Sequence, residues 1–73
     1  MELNLRQAIV QRVQGNSEDE LAEVIESSIG GEEMALPGIG VLFEIIWQGS
    51  TAAARKKMAN VLHKKLSEQS AVK

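Results

Sequence analysis

Apolar residues recur at helical spacing from the start of the chain, where Leu5, Ala8, Ile9 and Val13 form one stripe between polar neighbours. Asn4 stands before the stripe as an N-cap. Gly15 follows it as a residue free to take the left-handed conformation that ends helices, so a first helix is predicted from about Leu5 to Gln14. Ser17 followed three residues later by Glu20 is a capping-box pattern, and Glu18 and Asp19 place negative charge where a helix dipole favours it. A second helix starts there. Its stripe is Leu21, Val24, Ile25, Ser28 and Ile29, its wet face carries Glu23 and Glu26, and Gly30-Gly31 stops it. Glu32 to Leu36 reads as a turn or a short helical piece.

The pattern then changes character. Pro37 suits the first turn of a helix, since its φ is already helical and its missing N–H is not needed there. From Ile39 to Gln48 only Glu44 and Gln48 are plainly polar, so a helix here is apolar nearly all round and needs cover on most sides. Val41, Leu42, Phe43, Ile45, Ile46 and Trp47 would also suit a buried strand. A lone strand among helices would have no ladder partner for its backbone groups, which argues for helix. Gly49 closes that helix and Ser50 or Thr51 caps a fourth, with Ala54, Met58, Val61, Leu62 and Leu66 as buried stripe and Arg55, Lys56, Lys64 and Lys65 facing water. The expectation is an all-α fold: one domain over residues 1–73, frayed from about Ser67, with four short helices around a central apolar one. The helices around Val24 and Leu62 are expected to pack on the Val41 to Trp47 segment, Gly38 and Gly40 allowing close approach. Leu42, Ile45 and Ile46 are expected to be buried, and Ile45→Ala to unfold the domain.

Size adds a constraint to that picture. A chain of 73 residues buries only about 60% of its unfolded surface when folded alone, which makes self-association a live expectation. A helix apolar on every side points the same way, and Phe43 and Trp47 are the candidates for a homodimer seam. There is no cysteine, in keeping with a reducing compartment. Glu2 and Arg6 near the start leave no secretory-signal pattern, and the longest apolar run is too short to span a bilayer.

Charge is distributed unevenly. Between Met1 and Glu44 nine acidic residues stand against Arg6 and Arg12, a balance of −7, whereas from Ile45 onward six basic residues stand against Glu68, a balance of +5. The halves can complement one another within a copy, or head to tail between copies. Net acidity favours the internal arrangement, and the basic end is the part suited to polyanions.

Met1-Glu2-Leu3-Asn4-Leu5-Arg6, Gly15-Asn16, Gly31-Glu32-Glu33 and the run Leu36-Pro37-Gly38-Ile39-Gly40-Val41-Leu42-Phe43-Glu44-Ile45-Ile46-Trp47-Gln48 together resemble the small acid-soluble spore protein I family of Bacillus-type spore formers. The resemblance implies a minor protein made in the forespore during sporulation and held in the spore core, a cytoplasmic compartment, with a structural or interaction role and no enzymatic activity. It brings no catalytic residues.

The chemical inventory agrees with a non-enzyme. One histidine, no cysteine and no tyrosine leave little for a general acid and base or an activated nucleophile. His63 beside Lys64 and Lys65 reads as a solvated helix-end residue, and Glu32 and Glu33, being adjacent, do not make a ligand set. No metal, cofactor or small-molecule substrate is expected. The sharpest alternative is DNA binding. Leu36-Pro37-Gly38-Ile39-Gly40 resembles the hairpin of the helix-hairpin-helix motif, in which Gly38 and Gly40 would offer backbone N–H groups to phosphate. Val41, Leu42 and Phe43 stand where small or basic residues usually follow such a hairpin, and Glu32 and Glu33 would repel phosphate. Arg55, Lys56, Lys57, Lys64 and Lys65 make a second candidate contact, but no aromatic is interleaved with them and a solvated helix face explains them as well.

Overall fold

The computed structural model describes residues 4–72, with side chains described for 4–69. Met1, Glu2, Leu3 and Lys73, which enter the family pattern or the charge balance, lie outside the described residues. Four α-helices follow in chain order: α1 (Leu5–Val13), α2 (Glu18–Ser28), α3 (Leu36–Gln48) and α4 (Ala52–Val72), with a single 3-10 turn (Glu33–Ala35) before α3. The described residues contain no strand, and the class is all-α. Three of the helices are short, whereas α4 has 21 residues and continues beyond Ser67.

Local side-chain chemistry sets most boundaries. Asn4 Oδ1 accepts from the Arg6 backbone N–H at 2.7 Å and opens α1. At α2 the capping box is complete: Glu20 N–H donates to Ser17 Oγ at 3.2 Å while Ser17 N–H donates to Glu20 Oε1 at 2.9 Å. Gly30 takes φ 72°, the left-handed turn that carries the chain out of α2. Gly15 and Gly49 do not adopt that conformation; α1 ends through Gln14 in helical geometry and α3 through Gly49 at φ −87°. The 3-10 turn runs straight into α3, with Pro37 in its first turn, and Thr51 Oγ1 caps α4 by accepting from Ala54 N–H at 3.1 Å.

α3 is the central element, touching α1, α2 and the 3-10 turn. Its one buried side chain is Val41, 8% exposed, with Leu42 half-buried beside it and Ile9, Val13, Leu21, Val24 and Ile25 half-buried on α1 and α2. Three expectations from sequence are corrected. Ile45 (48% exposed) and Ile46 (43%) are not buried, because two short helices and one turn cover only one side of α3. Gly38 and Gly40 are not sites of close approach: a Cβ on either would meet no heavy atom within 4 Å. α4 does not lie along α3. Only Ala54, Arg55 and Met58 are half-buried on it, and every residue from Ala59 to Gln69 is exposed, including Val61, Leu62 and Leu66. A period-3.6 stripe says which face of a helix is apolar, and says nothing of whether a neighbour exists to cover it.

The result is an open molecule. Its radius of gyration is 14.5 Å, against about 11 Å for a compact chain of this length. Its accessible surface is 6495 Å², against about 4400 Å² for a folded monomer of this mass.

Candidate functional site

The divergence of α3 and α4 leaves an apolar groove of about 1250 Å³ between them. Ile39, Phe43 and Trp47 project into it from α3 at successive four-residue steps, which places them on one face of that helix. Met58, Val61 and Leu62 line the opposite wall from α4, and the charged rim is Arg6, Glu44 and Lys57. The Phe43 and Trp47 rings lie 5.8 Å apart at 44°, within the range of favourable aromatic pairs. The residues singled out from sequence as a seam, Phe43 and Trp47, therefore lie together in this groove.

Two arginines shape this groove. Arg6 on α1 reaches Glu44 on α3 with two parallel bonds, Nε to Oε1 at 2.8 Å and Nη2 to Oε2 at 2.7 Å, across 38 residues of sequence. Those hydrogen bonds hold the Glu44 carboxyl below its ordinary value, with the charge of Arg6 acting in the same sense and partial desolvation acting against both. Arg55 closes the joint at the other end: its Nε donates to the Trp47 carbonyl at 2.8 Å and its Nη2 to the Gln48 carbonyl at 3.2 Å. Its guanidinium sits 5.8 Å from the centre of the Trp47 ring. A cation thus satisfies the last carbonyls of α3, where the helix dipole is negative, and stacks on the indole. Arg55 had been read from sequence as facing water or phosphate. It is a helix cap instead, as eight-residue spacing across a Gly-Ser-Thr turn does not by itself reveal.

The other candidate contacts are dispersed over two helices. Gly38 and Gly40 fall inside the first turns of α3, so Leu36 to Gly40 is a helix start and not a hairpin between two helices. Glu32 and Glu33 stand immediately before it. Lys56, Lys57 and Lys64 are exposed on α4, and Lys65 pairs with Glu68 at 3.5 Å within that helix. His63 is exposed in mid-helix, not at a helix end. Among the described residues no three His, Asp or Glu side chains gather as a metal site, and no helix is long and apolar enough to cross a membrane. Nor does any ion pair among them join α4 to the acidic half. The internal complementation of the two halves expected from their charges is absent there. Sequence reading missed the Arg6–Glu44 bridge; its one signal was that Glu44 is the sole charge inside the apolar run.

Fold and groove together define a small helical protein organised around a partly uncovered apolar helix. Residues 3–66 match the family described as Small, acid-soluble spore protein I, a match that takes in most of α4 as well as the Leu36 to Gln48 run. The chain is 48% identical over 67 residues to the small, acid-soluble spore protein I of Bacillus licheniformis, covering 90% of this chain and 96% of that one. It is 44% identical to the Bacillus subtilis protein of that name over 63 residues, 85% and 89% of the two chains. Identity to the Bacillus cereus (strain G9842) protein is also 44%, over 69 residues, 93% and 100% of the two chains. The chain belongs to the small, acid-soluble spore protein I family. No solved structure matches it.

Proposed function

We propose that this chain is a minor protein of the spore core, made in the forespore during sporulation and acting without enzymatic chemistry in a structural or interaction role. The family match across residues 3–66 carries the spore reading. The groove supports the interaction role, since its apolar walls suit side chains of a partner better than a polar substrate. The only close ionic contact between helices among the described residues, Arg6–Glu44, is an exposed bridge and not an acid–base pair in a cleft. The test is fractionation. In the organism that encodes it, the protein should be recovered in acid extracts of ruptured, decoated spores and be absent from vegetative cells and from the mother-cell fraction. Recovery from the coat or mother cell would reject the reading.

A further inference from the structure

We propose that the groove between α3 and α4 is the seat of a second copy of this chain. Two copies pair about a twofold axis, α4 of each lying between α3 and α4 of the other, so that the four helices form one bundle. This proposal does not rest on where in the cell the protein acts.

Two observations select this occupant. The groove and the helix that would fill it are both present in one chain: exposed Phe43 between half-buried Ile39 and Trp47 on one wall, half-buried Met58 and exposed Leu62 on the other, with exposed Leu66 continuing the α4 stripe into solvent. A symmetric contact is self-complementary, so a single association covers both stripes twice over. The amount of surface also fits. The chain exposes 6495 Å², about 2000 Å² more than a compact monomer of its mass. A standard interface takes about 800 Å² from each partner, and permanent dimers take about 1000–2500 Å². Pairing through the groove thus returns the molecule to ordinary compactness.

Charge does not choose the occupant. The ion pairs among the described residues are Arg6–Glu44, inside the acidic half, and Lys65–Glu68, inside α4. Lys56, Lys57 and Lys64 therefore meet no carboxylate of their own copy there. The groove rim carries Glu44, already paired with Arg6, together with Lys57, so the groove selects for apolar side chains and not for charge.

Sedimentation from low-micromolar to near-millimolar concentration tests the proposal, with Trp47 emission, the only indole, recorded over the same range. The wild-type mass should double from 7.9 kDa as concentration rises, with Trp47 emission moving to shorter wavelength in parallel. Leu62→Glu should remain at the monomer mass with unchanged far-ultraviolet circular dichroism, since Leu62 is 58% exposed in a single copy. A wild-type monomer throughout would overturn the proposal. So would doubling with no change at Trp47, which would place the contact on another face, or doubling that survives Leu62→Glu. Should that variant lose its helix signal, the wild-type mass and emission still decide the matter.

Discussion

At the scale of single residues, guanidinium geometry does the joining. Arg6 grips Glu44 through a two-pronged contact that a lysine ammonium cannot reproduce, and Arg55 spans two carbonyls and an indole face at once. The Arg6–Glu44 bridge makes stability depend on pH in a definable direction. Because Glu44 is held below its ordinary value when folded, its contribution is present above the unfolded glutamate value of about 4.3 and is lost as pH falls through the lower folded value. Raising the Arg6 value adds nothing in that range, as arginine is charged in both states. Thermal melts between neutral and strongly acidic pH should show Glu44→Gln with a weaker loss of stability on acidification than wild type. Parallel curves would show that the bridge contributes nothing. The effect should shrink in high salt, since both side chains are exposed.

At the scale of the element, α3 divides into a covered side and an open one, and substitutions along it should sort accordingly. Val41→Ala removes two methyl groups from the one buried site and should cost about 2 kcal/mol. Ile45→Ala, half in solvent, should cost under about 1 kcal/mol and leave the chain folded. Gly40→Ala places a methyl group in open space on a helix and should raise stability by about 0.5–1 kcal/mol. Melting midpoints followed by circular dichroism give the order directly, and an Ile45→Ala loss as large as that of Val41→Ala would refute this division. The helices themselves were legible in advance where their ends carry their own chemistry: Ser17 with Glu20, Asn4, Pro37 and Thr51 each act within a few residues. What covers each helix was not. The stripe of Met58, Val61, Leu62 and Leu66 looks the same whether its partner is α3, another copy or water, and the Arg6–Glu44 contact depends on a path of 38 residues that no local spacing encodes.

For the whole molecule, the separation of acidic and basic halves governs what it can approach. A polyanion would meet exposed Lys56, Lys57 and Lys64 on α4, but Arg55 is committed to the end of α3 and Lys65 to Glu68. Glu32 and Glu33 guard the start of α3. Titration against duplex DNA should therefore show binding at low salt that falls steeply and is weak near physiological salt, with a slope corresponding to about three phosphates. Sub-micromolar affinity at physiological salt, abolished by replacing Gly38 and Gly40 in a protein that still folds, would favour the phosphate-gripping reading of that segment. Phe43 and Trp47 could be picked out from sequence as a candidate seam because they are the aromatics of a helix apolar on nearly every side. The groove that unites them with α4 could not, because it exists through the angle at which the chain leaves Gly49.

The distance in sequence between Arg6 and Glu44 also bears on how the chain finds its fold. Most contacts here lie within or between neighbouring helices, which places the chain among fast folders whose helices form in microseconds. Bringing α1 onto α3 closes a loop of 38 residues, costing only about 1 kcal/mol more entropy than closing one of ten. The encounter of α1 with α3 is therefore a cheap step in chain entropy, and the arginine on α1 ties the two helices once they meet.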